Sequence, residues 1–222
     1  MKQMLKETLV IFIITILAGA ALGGVYTLTK EPIKVQNEIA KAKAYQSVFV
    51  DADYFAEELP FDSEHASMVL ANIDSEHDNS GTTIDMFCAA YNGDELVGFV
   101  VTVTNHEGFG GDITFSMGVR LDGTLNGISI TSIKETAGLG MRAQEVLAPQ
   151  FEMKSTDARF MVTKTGAVYP SDIDAISSAT ITSKAVVSGV NTGITYCNYR
   201  LSQYQQGLTT IPARENGGDM DA

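Results

Sequence analysis

The sequence predicts an α+β protein: a single N-terminal transmembrane helix followed by an antiparallel-sheet domain with flanking helices. Three observations carry this expectation. No charged residue occurs from Thr8 to Thr29. Two strand–turn–strand patterns follow in mid-chain, one around Asn92-Gly93-Asp94 and one around Asp122-Gly123. A helical apolar pattern then starts abruptly after the hydroxyl-rich stretch Asp174-Ala-Ile-Ser-Ser-Ala-Thr-Ile-Thr-Ser-Lys184.

The charge-free run would extend roughly 33 Å as a helix, enough for a hydrocarbon core of about 30 Å. A cleaved signal peptide is the competing reading, because Ala18-Gly19-Ala20 places small residues after an apolar stretch. The run continues past that point to Leu28, which favours a span. Gly19, Ala20, Ala21, Gly23 and Gly24 suit close packing against other membrane helices. Residues 1–30 are therefore read as an N-terminal transmembrane anchor. Lys2 and Lys6 precede it and Lys30, Lys34, Lys41 and Lys43 follow. A bare positive-inside count would put the following domain in the cytoplasm, but that rule weakens for long translocated domains.

Glu31-Pro32 is read as opening a helix that reaches about Val50, with Ile33, Ile39, Ala42 and Tyr45 on one side, and that continues the anchor as a stalk or docks on the domain. The acidic segment from Asp51 to Asn79 reads as a short helix plus loops, so residues 31–80 form a helical stalk and acidic linker. A folded domain is expected over 81–208. Met86–Tyr91 with Leu96–Thr104 gives one hairpin, and Ile113–Leu121 with Leu125–Ile133 a second, hence a sheet of about four strands. A helix over Met141–Phe151 and a short strand near Phe160–Thr163 come next. The last helix spans Ser178 to about Tyr204, with Val186, Val187, Val190 and Ile194 on one face. Residues 209–222, which include Glu215-Asn-Gly-Gly-Asp219, are expected to be a disordered tail.

Composition excludes several functions. A formal charge of −12 in 222 residues argues against nucleic acid as a partner. Cys88 and Cys197 form no metal-spaced set, and a bridge between them stays open for a domain outside the cytoplasm. His65, His77 and His106 show no ligand spacing. There is no P-loop, no strand–GxGxxG–helix pattern and no Ser-His-Asp or Cys–His arrangement, so hydrolytic chemistry is a poor fit.

Three stretches remain: Glu107-Gly-Phe-Gly-Gly-Asp112, Lys134-Glu-Thr-Ala-Gly-Leu-Gly140 and Asp174–Lys184. Clustered glycines let backbone approach a ligand and aim N–H groups at an anion. Ser177 or Ser178 is the natural N-cap of the last helix, which puts Thr180 in its first turn. A helix N-terminus favours phosphate, and a hydroxyl placed there can carry a phosphate ester.

In this order, behind one membrane span, the three stretches resemble the FMN-binding domain of the G subunits of Rnf electron-transfer complexes. The C subunit of the sodium-pumping NADH:quinone reductase is a relative of that family. The resemblance implies an FMN-binding domain over 81–208 and a covalent flavin, moved by a flavin transferase from FAD onto Thr180 as a phosphoester. It rests on Asp174, Ser177, Ser178, Ala179 and Thr180, which match the family's Asp-x-x-Ser/Thr-Gly-Ala-Thr sequence. Thr182 and Ser183, with Lys184, are the expected side-chain donors to the phosphate. Glu135, Thr136, Gly138, Leu139 and Gly140 are expected against the ring, with Gly110 and Gly111 as looser candidates. The sequence departs from the family at Ser178, where glycine is commoner, at Ala137, where proline is usual, and at Lys134, where histidine often occurs. The resemblance further implies an electron-relay subunit of an ion-translocating oxidoreductase in the cell membrane, partnered by other integral and peripheral subunits. It places the domain outside the cytoplasm, against the lysine count. A stand-alone membrane-anchored flavoprotein and a ligand-binding module without flavin are the other readings of the same sequence.

Overall fold

The computed structural model describes residues 2–77 and 79–212, which fall into two compact units divided between Ala42 and Lys43. Most of the tail expected to be disordered, from residue 213 onward, lies outside the described residues.

Helix α1 (Lys2–Val48) is continuous, with Pro32 inside it. No helix start occurs at Glu31-Pro32, and the segment continues the helix of the anchor, one of the two readings of the sequence. Proline removes one backbone bond and crowds the carbonyl four residues before it, but neither a glycine nor a capping bond interrupts the chain on either side. The hydroxyls of Thr27 and Thr29 bond back to the carbonyls of Gly24 and Val25, which keeps them from stopping the helix. Within α1 lies the one stretch, among the described residues, that is long and apolar enough to cross a membrane.

In the second unit the two expected hairpins are present. Strands β2 (Thr82–Asn92) and β3 (Glu95–Asn105) form the first, and β4 (Ile113–Arg120) and β5 (Thr124–Ile133) the second. Gly93 (φ 59°) and Gly123 (φ 81°) supply the left-handed turn residues. The register Phe99↔Val119 and Val103↔Phe115 joins the hairpins. Two short edge strands that the sequence does not announce complete an antiparallel six-stranded meander, β1 (Tyr54–Glu57) beside β2 and β6 (Lys154–Ser155) beside β5. Strand β1 lies in the segment expected to be linker. Four residues are too few to show a period of two, so only the neighbouring strand reveals it. Helix α2 (Ser63–Ile73) follows, its N-terminus capped by the Asp62 carboxylate, which accepts the His65 N–H at 2.8 Å.

The expected helix over Met141–Phe151 is broken. A 3₁₀ turn (Gly140–Arg142) leads into a one-turn helix α3 (Ala143–Val146) and a second 3₁₀ turn (Ala148–Phe151). Pro149 cannot continue an α-helical ladder. Strands β7 (Met161–Thr163) and β8 (Asp172–Asp174) then pair in parallel, and helix α4 (Thr180–Gln205) closes the domain.

Helix α4 lies on one face of the sheet over Phe87, Phe99, Val101, Val103, Phe115 and Met117, all buried. Close approach is needed here. A β-carbon at Gly189 would sit 2.8 Å from the Phe115 ring, and one at Gly193 would meet the Met117 sulfur. On the opposite face the end of α1 buries Tyr45, Val48 and Phe49 against Cys88, Ala90 and Val100. Gly98 and Gly118 make room, since a β-carbon at Gly118 would stand 2.8 Å from the Val48 carbonyl and 2.9 Å from the Phe49 ring. Cys88 and Cys197 are separate free thiols, and burial pushes the Cys197 thiol well above its usual range.

Replacing a helical glycine by alanine normally adds about 1 kcal/mol of stability. Gly189→Ala is expected to reverse that sign, because the Phe115 ring is fully buried and overpacking costs about 1–3 kcal/mol. Thermal unfolding of the full chain in detergent should show a lowered Tm. An unchanged or raised Tm would mean that the ring yields without cost.

Candidate functional site

The site forms where α4 begins. Strand β8 ends at Asp174, whose backbone is held on both sides by Gln150: Asp174 N–H donates to Gln150 Oε1 at 2.7 Å and Gln150 Nε2 donates to the Asp174 carbonyl at 3.1 Å. The chain then turns through residues 175–179. Ser183 reaches back from the helix, accepting the Ile176 N–H at 3.0 Å and donating to the Ala179 carbonyl at 2.9 Å.

These bonds correct the expected cap. Ser178 is held at φ 64°, in the left-handed region, which is not the extended conformation that an N-cap requires. Ala179 (φ −133°) occupies the cap position instead and has no side chain to offer. Thr180 is the first helical residue, as expected. With no cap, the N–H groups of Thr180, Ile181 and Thr182 meet no acceptor among the described residues and present the positive end of a 26-residue helix.

Two other loops close over this N-terminus. Asn105, fully buried, accepts the Glu107 N–H at 2.9 Å and donates to Thr82 Oγ1 at 2.8 Å, fixing the start of the first. A β-carbon on Gly110 would run into the Lys134 carbonyl, so the two loops touch backbone to backbone. In the second loop Leu139 N–H donates to the Thr136 carbonyl at 3.1 Å, and Gly138 (φ 77°) takes the third position of the turn. A positive φ there is the type II pattern, in which proline is common at the position held by Ala137. Gly140 completes the contact, since a β-carbon on it would lie 2.7 Å from both Glu135 Cβ and Thr182 Oγ1.

Together they enclose an open cavity of about 360 Å³ lined by Phe109, Glu135, Thr136, Leu139, Gly140 and residues 178–182. That size is at the lower end for small-molecule sites, which run from about 300 to 1,000 Å³. Four hydroxyls without side-chain partners among the described residues lie in its lining, on Thr136, Ser178, Thr180 and Thr182. Phe109, Leu139 and Ile181 give it an exposed apolar rim. Glu135 Oε1 is the single buried side-chain polar atom, among the described residues, that lacks a hydrogen-bond partner. A buried acceptor left unpaired is costly and points to a donor supplied from outside the chain.

Of the residues singled out in the sequence, Glu135, Thr136, Leu139, Gly140, Ser178, Ala179, Thr180 and Thr182 meet at this cavity. Gly110, Gly111, Gly138 and Asp174 shape the loops without lining it. Ser177 is exposed beside it and Lys184 points to solvent. Ser183, expected as a phosphate donor, is fully buried and spends its hydroxyl on the loop. Phe109 and Ile181 were not anticipated. Phe109 could have been found as a large aromatic between loop glycines, and Ile181 as an apolar residue outside the stripe of Val186, Val187, Val190 and Ile194.

The class of protein follows from the sequence that builds this cavity: residues 108–195, which contain its whole lining, match the FMN-binding domain family. The chain belongs to the family of G subunits of ion-translocating oxidoreductase complexes. It is 32% identical over 194 residues to the G subunit of the Na(+)-translocating ferredoxin:NAD(+) oxidoreductase complex of Acetobacterium woodii, covering 87% of this chain and 91% of that one. It is 26% identical to the G subunit of the ion-translocating oxidoreductase complex of Shewanella piezotolerans, over 96% of both chains. The crystal structure of NqrC from Shewanella oneidensis aligns with 72% of this chain and 74% of its own, at 16% identity and a TM-score of 0.47.

The cavity fits FMN in its donor set. Hydroxyls and uncapped N–H groups suit a phosphate, the apolar rim suits a flat ring, and Glu135 Oε1 suits a ligand N–H or O–H.

Ser183→Ala should destabilise the loop without removing a cavity hydroxyl. It leaves the buried Ile176 N–H unpaired, at a cost of about 1–3 kcal/mol. Thermal unfolding is expected to show the loss, and an unaltered Tm would show that the loop holds without the bond.

Proposed function

We propose that this chain is a membrane-anchored covalent flavoprotein subunit, relaying electrons within an Rnf-type ferredoxin:NAD⁺ oxidoreductase coupled to translocation of Na⁺ or H⁺. FMN is carried as a phosphoester on Thr180. The observation that carries the reading is Thr180 itself, a half-buried hydroxyl on the first residue of an uncapped helix, opening into a cavity. The family match and the relatives' shared description as G subunits of such complexes support the setting.

Attachment is a phosphoryl-type transfer performed by a separate flavin transferase. The Thr180 oxygen would bond to the phosphorus of the FMN half of FAD and lose its proton, while the pyrophosphate bond would break and AMP would leave. The N–H groups of the first turn and the Thr182 hydroxyl would hold the phosphate. Glu135 would accept a ligand donor, and Leu139, Phe109 and Ile181 would pack against the ring. Bound FMN supplies one- and two-electron redox chemistry, and the protein tunes it by packing, hydrogen bonding and burial. No general acid, base or nucleophile for substrate chemistry is required of this chain.

In this reading the subunit sits in the cell membrane by its anchor, with the flavin domain on the extracytoplasmic side. Other integral and peripheral subunits bind ferredoxin and NAD⁺. A covalent tether keeps the carrier among them at high effective concentration.

Co-expression of the full chain with a flavin transferase should give a yellow protein whose denatured band fluoresces. Thr180→Ala should abolish the band while leaving the fold intact. Fragmentation of the tryptic peptide 165–184 should place the mass on Thr180. An adduct on Ser177, Ser178, Thr182 or Ser183, or none beside an active transferase, sinks the assignment.

A further inference from the structure

We propose that Ser178 is a positioning residue for the flavin phosphate, its hydroxyl donating a hydrogen bond to a non-bridging oxygen of the phosphoester on Thr180. The proposal rests on the Thr180 reading above and extends it to a residue at which this chain departs from the family pattern.

The backbone supplies the first part of the argument. Ser178 and Met153 are the two non-glycine residues with positive φ among the described residues. The left-handed conformation crowds the β-carbon of an L-residue, and glycine would adopt it without that cost. Residues that tolerate it usually do so through a local side-chain bond. Ser178 has none among the described residues. The loop is braced instead by Ser183 and by the bond from Ala179 N–H to the Ile176 carbonyl at 3.0 Å. Among the described residues, nothing offsets the conformation of Ser178.

The cavity supplies the second part. Ser178 contributes to its lining, two residues before Thr180 and just ahead of the unpaired first-turn N–H groups. Ala179 cannot cap those groups, and the cavity lining contains no Lys or Arg among the described residues. A phosphodiester carries one negative charge on two non-bridging oxygens, and each accepts several hydrogen bonds. The N–H groups approach from the helix side. The Ser178 hydroxyl belongs to the loop before the helix and lies in the same lining, where it would add a bond to that charge, and bonds to an ionised acceptor are roughly twice as strong as neutral ones. The left-handed turn at 178 is the backbone arrangement with which Ser178 enters that lining.

The test compares full-length wild type, Ser178→Ala and Ser178→Gly, each flavin-free and loaded by transferase and FAD. Alanine keeps the backbone cost and removes the hydroxyl, whereas glycine removes both. Without flavin, the glycine variant is expected to melt above wild type and the alanine variant close to it. Loading should raise the Tm of wild type by about 2–4 °C more than that of either variant, as expected for about 1 kcal/mol in a chain of this size. The ³¹P resonance of the loaded protein should shift in both variants, a readout that backbone strain alone would move in one. Equal increments with an unmoved resonance overturn the role of Ser178 and leave Thr180 standing. A variant that takes up no flavin also counts against it, because the contact is made after attachment. Wild type that carries no adduct on Thr180 overturns both readings together.

Discussion

The hydroxyl of Ser183 accepts the Ile176 N–H and donates to the Ala179 carbonyl, and these two bonds decide where α4 begins. With the loop drawn in this way, the cap position falls on alanine and the first-turn N–H groups are left facing the cavity. A serine or aspartate at 179 would have satisfied one of those donors internally. The opposite end of the same constraint is α4's seat on the sheet, set by Gly189 and Gly193 over Phe115 and Met117. Helix position and loop closure together fix the site to a rigid layer.

Function draws on that rigidity. A relay needs its redox group held at a constant place and insulated from side reactions, and it needs little catalytic chemistry from the protein. The cavity accordingly contains hydroxyls, a carboxylate and apolar side chains, with no nucleophile–base pair among the described residues. The contact between the loops at Gly110 and Lys134 keeps Phe109 and Glu135 over the helix N-terminus. Glu135 stands out as an acceptor left unpaired where the other described buried side chains are satisfied. Such a group is tolerated where a ligand completes it.

Much of the fold could be read in the sequence because its signals are local. Asn92-Gly93-Asp94 and Asp122-Gly123 announce hairpins, since glycine is the residue that adopts the required turn conformation without strain. The edge strands β1 and β6 escaped because their few residues have no period of their own and exist by pairing with β2 and β5. Pro32 suggested a helix start inside a helix that runs on without a break. Proline is a breaker by local rule, but one lost hydrogen bond does not end a helix that nothing else stops.

By itself the sequence determined the membrane-spanning run, the two hairpins, the three loops worth watching and the place of Thr180 in the first turn of the last helix. Each of these follows from composition, period or turn chemistry within a short window, apart from the family pattern that gave the loops a meaning. Tertiary structure alone decided that the loops meet, that Phe109 and Ile181 join them, and that Thr182 faces the cavity while its neighbour Ser183 faces the loop. It also decided that Ser178 takes a left-handed turn and yields the cap to Ala179. The physical reason is common to all four. Two adjacent hydroxyls have the same local preferences, and what separates them is which distant backbone group comes within hydrogen-bonding reach.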